Sequence, residues 1–143
     1  LDVAGASNGL EDGGARVSAA VTGGTAPQVR IFYKMELQVD SDANALVEFY
    51  FSRSSGTSGT GTDINQGTVG DASAGIATAP KNEMQFVHAQ VSDGEATVYT
   101  NSFVVDDPGD DWRLVLVNES GGTFHATAGN HVFEYRYITP EVQ

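Results

Sequence analysis

A twelve-residue segment with two-residue alternation constrains the fold of this chain more than any other feature. In residues 28–39 (QVRIFYKMELQV) apolar side chains occupy every second position: Val29, Ile31, Tyr33, Met35, Leu37 and Val39. The positions between them are polar, with Phe32 as the one large apolar exception. Successive side chains of a β-strand point to opposite faces, so the pattern predicts a strand with one buried face and one mostly solvated face.

Two hairpins are predicted from the spacing of such segments. Residues 46–54 repeat the alternation, and the Asp and Asn residues at 40–44 provide turn chemistry between them and the first segment. Residues 84–91 and 96–105 are likewise strand-like and are separated by the short turn sequence Ser-Asp-Gly-Glu. We therefore expect each pair to be joined directly as antiparallel neighbours.

The remaining strand-like segments complete an all-β pattern. They lie at 15–22, 112–118 and 131–138, and no segment has a convincing helical period. Seven or eight short strands predict an antiparallel β-sandwich of the jelly-roll or immunoglobulin-like kind. We expect one sandwich domain over residues 15–143, preceded by a flexible, Gly- and Asp-rich N-terminal arm at residues 1–14.

A long segment of small residues interrupts the strands at 54–79. It consists mainly of Gly, Ser, Thr and Ala, and its only sizeable apolar side chains are Ile64, Val69 and Ile76. Such a segment cannot bury enough apolar area to order itself, so we expect an extended loop that orders against a partner. The three apolar residues are the predicted partner-binding residues. Because residues 1–53 are too few to close a sandwich, the strands before and after the loop are expected to share one core.

The charge balance excludes several classes of partner. Seven basic residues against nineteen acidic ones give a net charge of −12. A chain this acidic is repelled by the phosphates of nucleic acids and by anionic membrane surfaces. The longest apolar runs, such as 114–117, are also far too short to span a membrane.

Signatures of enzymes and cofactor sites are missing from the sequence. Cysteine is absent, and no nucleophile elbow or phosphate-binding loop occurs. The three histidines, His88, His125 and His131, stand at no metal-binding spacing. We therefore expect a protein that is not an enzyme and binds no cofactor.

One turn carries enough carboxylates to be a candidate metal site. Asp106, Asp107, Asp110 and Asp111 lie within six residues, around a Pro-Gly pair. Crowded carboxylates repel one another, and a divalent cation such as calcium would relieve the repulsion. A solvated tight turn explains the same composition and is the interpretation that we favour.

Two single residues also allow alternative interpretations. Trp112, the only tryptophan, opens a predicted strand and is expected to be a core anchor, although a tryptophan can also stack on a sugar ring. Asn118 begins a formal N-glycosylation sequence, Asn118-Glu119-Ser120.

Three segments together carry a family resemblance. An aromatic strand (FYFSRS, 49–54) leads into the Gly- and Thr-rich loop containing Gly70-Asp71-Ala72, and the segments WRLVLVNESGG (112–122) and YRYITPEV (135–142) follow. From residue 46 onward, this order resembles small β-rich virion structural proteins of tailed bacteriophages and related viruses. The resemblance implies a non-enzymatic capsid decoration protein on the head surface of the virion. Its implied partners are the major capsid protein and neighbouring copies of itself, as a homo-oligomer.

A second hypothesis comes from a different functional class. A receptor- or carbohydrate-binding module of a tail fibre would need exposed aromatic residues gathered on one sheet face. Phe32, Tyr50 and Tyr99 are out of phase with the apolar alternation and are the candidates for such a platform.

Overall fold

The structure is a computed structural model that describes residues 9–22, 26–38, 41–54, 72–74, 84–94, 97–109 and 111–139. In chain order its strands are β1 (Ala15–Val17), β2 (Val21–Thr22), β3 (Gln28–Glu36), β4 (Ala43–Ser54), β5 (Ala72–Ala74), β6 (Gln85–Asp93), β7 (Val98–Asp106), β8 (Asp111–Glu119) and β9 (Val132–Ile138). A single 3₁₀ turn, Ala128–Asn130, precedes β9 in this part of the chain. Across these ranges, no helix has the length and apolar character that a membrane span requires.

Two antiparallel sheets form the molecule. The large sheet has the strand order β5-β1-β8-β4-β6, with β2 also paired to β8, and the small sheet has the order β7-β3-β9. Every pairing between these strands is antiparallel. The predicted all-β antiparallel sandwich is confirmed.

The alternation in β3 builds the core between the sheets. Val29, Ile31, Tyr33 and Met35 are buried, as is Leu37 just beyond the strand. They pack against the inner faces of β4 and β8, whose buried core residues are Val47, Phe49, Phe51, Trp112, Leu114 and Leu116. Burial of one face of each sheet is the main stabilising term of such a sandwich.

Both predicted hairpins are wrong. β3 pairs with β7 and β9, whereas β4 pairs with β6 and β8, so consecutive strands cross from one sheet to the other. The same holds for β6 and β7. A turn between two half-buried strands has the same composition whether they pair edge to edge or face each other across a core. Here each apolar face is buried against the opposite sheet.

The strands on either side of the long predicted loop are direct neighbours. β4 and β6 pair antiparallel from Leu46 opposite Val91 to Phe51 opposite Gln85, with irregular register near Phe49. Side chains from strands on both sides of this segment, such as Phe49 of β4 and Leu116 of β8, lie in the same core cluster.

Part of the predicted N-terminal arm is fixed to the body of the domain. Leu10 is buried in the main core, and its carbonyl accepts hydrogen bonds from the backbone of Phe124 at 3.0 Å and from Nδ2 of Asn118 at 2.9 Å. Gly9 has φ +77°, and a Cβ there would clash with the carbonyl oxygen of Phe124. The prediction of a flexible arm is therefore corrected for residues 9–14, while residues 1–8 lie outside the described ranges.

Strand β8 is buried on both of its faces. Leu114 and Leu116 face the main core, whereas Val115 and Val117 join a second cluster on the outer face of the large sheet. The other members of that cluster are Ala15, Val17, Tyr50 and Met84. Burial on both faces explains why this strand has an uninterrupted apolar run instead of an alternation.

Candidate functional site

The acidic turn lies between the end of β7 and the start of β8. Oδ1 of Asp106 accepts a hydrogen bond from Nε2 of Gln28 at 2.6 Å, and Asp107 has a left-handed φ of 47°. Asp111 is buried as the first residue of β8, and Asp110 lies outside the described residues. Within the described ranges no group of three or more potential ligands is arranged to hold a metal ion.

The predicted partner-binding residues Ile64, Val69 and Ile76 lie outside the described residues. Their role therefore stays a prediction. The segment that contains them follows β4 and precedes β6, and its residues Ala72–Ala74 form β5, which pairs with β1 at the opposite edge of the large sheet from β6.

The three aromatic residues proposed as a binding platform occupy different places. Phe32 lies on the outer face of the small sheet. Tyr50 is buried on the outer face of the large sheet, and its hydroxyl donates to Oε2 of Glu48 at 2.8 Å. Tyr99 packs against the main core, and its hydroxyl donates to Oδ1 of Asp93 at 2.7 Å. Burial and this bond raise the pKa of Tyr99. The structure does not gather these three residues on one face.

Trp112 is the core anchor that its position predicted. It is buried, stacks on Phe51 with ring centroids 4.9 Å apart, and donates its indole N–H to the Tyr137 hydroxyl at 3.3 Å. The exposed ring of Tyr135 meets it edge-on, at 5.1 Å and 88°. This geometry is favourable for the quadrupoles of two aromatic rings.

A cavity of about 180 Å³ opens beside this aromatic pair. Its lining comes from the β1–β2 region and β8 of the large sheet and from β3 and β9 of the small sheet. Its lining is mainly apolar: Ser18, Ala19, Val21, Ile31, Trp112, Leu114, Phe133, Glu134 and Tyr135. The hydroxyl of Ser18 is already used within the wall, since it accepts from the backbone of Leu114 at 3.0 Å. The cavity can therefore hold a small group through apolar and aromatic contact.

A polar triad inside the sandwich was missed by sequence analysis. The hydroxyl of Tyr33 lies 2.9 Å from Nε2 of His88 and donates to Oε1 of Gln90 at 2.8 Å. Because its single proton is used toward Gln90, the hydroxyl accepts from the His88 N–H. Burial raises the pKa of Tyr33 to about 12 and lowers the pKa of His88. Tyr33 carries a hydroxyl within an otherwise apolar alternation, and this is the sequence signal that could have indicated a buried hydrogen-bond partner.

The buried amide of Asn118 ties three segments together. Its Nδ2 donates to the carbonyls of Leu10 and Gly122, and its Oδ1 accepts from the backbone N–H and the hydroxyl of Ser120. An amide nitrogen held in this way is inaccessible to a glycosyltransferase. The sequence Asn118-Glu119-Ser120 is therefore a structural motif in the folded protein.

All of the large apolar side chains exposed in the described residues lie on edge strands. They are Phe86 and Val91 on β6, Val98 and Val104 on β7, and Val132 and Tyr135 on β9. β6 is one edge of the large sheet, and β7 and β9 are the two edges of the small sheet. Outward-facing backbone groups on such strands are available to another chain.

The outer face of the small sheet has an unusual distribution of charge. Strand registers place its side chains in three central rows: Val104–Arg30–Arg136, Ser102–Phe32–Glu134 and Thr100–Lys34–Val132. The guanidinium of Arg136 lies over the Phe32 ring, 5.5 Å from its centroid. The centre of this face is therefore basic and aromatic in a strongly acidic protein.

No family model, curated protein or solved structure matches the chain.

Proposed function

We propose that this protein is a non-enzymatic virion structural protein, a decoration or cement protein on the head surface of a capsid. The observation that carries the proposal is that, in the described part of the chain, the exposed large apolar side chains all lie on the edge strands β6, β7 and β9. Edge strands with exposed apolar side chains favour association with other chains. The proposed partners are the major capsid protein and neighbouring copies of this chain.

The class of particle rests on the sequence resemblance of residues 49–54, 112–122 and 135–142. Those segments supply the second half of β4, all of β8 except its first residue and the second half of β9, which are elements of the sandwich framework. The net charge of −12 is compatible with an outward surface that keeps particles apart.

Co-sedimentation tests the proposal directly. The genome that encodes the chain is searched for a major capsid protein gene. The purified protein is then mixed with particles assembled from that capsid protein, and the pelleted fraction is measured. We expect saturable binding, which weakens in a Phe86→Ser/Val91→Ser variant and is unchanged in a Gln85→Ser control on the same strand. A second variant, Ile64→Ser/Val69→Ser/Ile76→Ser, tests the loop residues. Failure of the wild-type protein to pellet with the particles at saturating concentration would contradict the proposal.

The cavity beside Trp112 favours a second candidate function, a carbohydrate- or receptor-binding module of a tail fibre. Aromatic walls from Trp112, Phe133 and Tyr135 and a volume of about 180 Å³ suit a single sugar ring. The fluorescence of Trp112 reports binding without a label, because it is the only tryptophan. Titration with monosaccharides should change that fluorescence, and Ala19→Leu should abolish the change by filling the cavity. Ala20→Leu is the matched control, and a null titration in the wild-type protein rejects this candidate.

A further inference from the structure

The outer face of the small sheet differs in charge from the rest of the chain. It carries three of the seven basic residues, Arg30, Lys34 and Arg136, and its acidic residues Glu36, Asp106 and Glu134 lie around them. Sixteen acidic and four basic residues remain for the rest of the sequence. A second copy approaching this face meets no net repulsion from it, in contrast to the rest of the chain.

Two arginines at the centre of this face have no carboxylate partner among the described residues. Arg30 and Arg136 lie directly opposite each other on neighbouring strands, and neither forms an ion pair with a carboxylate of the described residues. Like charges in directly opposed positions of a sheet are destabilising. An external carboxylate would relieve that repulsion and pair with two guanidinium groups at once.

Apolar side chains surround the basic centre. Val98, Val104 and Val132 are 48%, 39% and 42% exposed, which makes them half of the large apolar side chains exposed in the described ranges. Phe32 lies between Arg30 and Lys34 on the central strand β3. A basic and aromatic centre with apolar neighbours is typical of a protein contact surface.

A complementary acidic surface exists at one end of the sandwich. Asp93 lies opposite Ala43 at the end of β6, and Glu119 ends β8 in the same sheet. Asp42 bonds the carbonyl of Ser120 through its backbone N–H, and Oδ1 of Asp12 accepts from the backbone of Gly121 at 2.9 Å. These contacts bring the acidic residues Asp12, Asp42, Asp93 and Glu119 to one end of the molecule.

We propose that the outer face of the small sheet binds this acidic end of a second copy of the chain. The contact joins two different surfaces, because a two-fold contact of the face with itself, centred on Phe32, would set Arg30 against Arg30 or Lys34 of the other copy. Such a heterologous contact leaves one free surface at each end of a dimer, so it closes into a ring or continues as a chain. The inference deepens the proposed assembly role by naming which surface binds neighbouring copies.

Sedimentation of the isolated protein at fixed 150 mM salt tests this contact. We expect reversible self-association of the wild-type chain. Arg30→Gln/Arg136→Gln should raise its dissociation constant at least about tenfold, because it removes two charge-assisted contacts. Ala20→Glu/Gln85→Glu makes the same change in net charge, from −12 to −14, at exposed positions away from the face and should have a much smaller effect.

Substitutions in the acidic end provide a second test. They reduce the negative charge of the chain, so they also reduce the general electrostatic repulsion between copies. Asp12→Asn/Glu119→Gln changes the net charge from −12 to −10. If only overall repulsion between copies mattered, this change would strengthen association. We expect it to weaken association about as much as the arginine variant. A mixture of the two variants keeps one intact basic face and one intact acidic end, and it should form dimers and nothing larger.

Three results would overturn the inference: a wild-type protein that stays monomeric up to millimolar concentration, equal weakening by the two −14 variants, or a mixture that does not pair. Attachment to capsids is measured separately with particles, so loss of self-association leaves the proposed decoration role standing.

Discussion

The imidazole of His88 stacks on the ring of Phe103, with centroids 4.9 Å apart and an interplanar angle of 17°, although the two residues belong to different sheets. β6 and β7 follow each other in the chain and form two edges on the same side of the sandwich. The stack covers the core where these edges face each other. On this side Phe49 and Tyr33 complete the aromatic group around His88, at centroid distances of 5.6 and 5.7 Å.

This environment makes stability depend on pH through His88. Burial lowers the pKa of His88 below 6.5, so the unfolded chain binds a proton at a higher pH than the folded protein does. The contribution of neutral His88 to the free energy of unfolding is fully present above about pH 6.5. It is lost as the pH falls from there through the lowered pKa. Urea unfolding at pH 7.5, 6.5 and 5.5 should show a steeper loss of unfolding free energy in the wild type than in His88→Gln. Parallel pH curves for the two proteins would contradict this assignment.

Tyr33 should give the opposite dependence at alkaline pH. Burial raises the pKa of Tyr33 to about 12. Its contribution to the free energy of unfolding is therefore fully present below about pH 10 and is lost as the pH rises toward 12. Absorbance at 295 nm should show one tyrosine that titrates after the others, and Tyr33→Phe should remove that late step.

The same Tyr33→Phe variant should lose about 1–2 kcal/mol of unfolding free energy at neutral pH, because the partners of the hydroxyl lose a buried hydrogen bond. Tyr135→Phe, at an exposed position, is the matched control.

Asn118 should be among the least replaceable polar residues. Asn118→Ala leaves the carbonyls of Leu10 and Gly122 without their donor, and we expect a loss of about 3 kcal/mol in unfolding free energy. Thr100→Ala, on the exposed outer face of β7, should cost less than about 1 kcal/mol. Denaturant titration compares the two, and similar losses would show that the buried network does not stabilise the turn and the N-terminal residues.

The sequence predicted local features well and pairings poorly, for a physical reason. The alternation in β3 identifies its buried face because that information lies within one strand. Whether β3 pairs with β4 or faces it depends on contacts with β7 and β9, which are distant in the sequence. Leu10 was assigned to a flexible arm because its neighbours are mainly small and polar, whereas its burial depends on Phe124 and Asn118. The basic face is hidden for the same reason, since only strand register places Arg136 beside Arg30.

Calcium should leave the acidic turn unaffected. Asp106 accepts a hydrogen bond from Gln28, Asp111 is buried in β8, and no group of three or more potential ligands in the described residues is arranged to hold a metal ion. We expect no change in melting temperature on adding millimolar calcium chloride. A rise that disappears in Asp107→Asn/Asp110→Asn would instead establish a calcium site by mass action on the folded state.

Shortening the segment between β4 and β6 tests whether it serves assembly and not folding. The two strands pair directly, with Phe51 opposite Gln85, so a four-residue turn in place of residues 56–82 can close them as a hairpin. No residue that the structure describes in the main core between β3, β4 and β8 belongs to the removed segment. The deletion does remove β5, whose three-residue ladder with β1 should account for a loss of about 1–2 kcal/mol of unfolding free energy.

We expect the shortened protein to unfold cooperatively and to bind capsid particles less tightly, because it lacks Ile64, Val69 and Ile76. Binding equal to that of the full-length protein would show that the segment has no part in attachment.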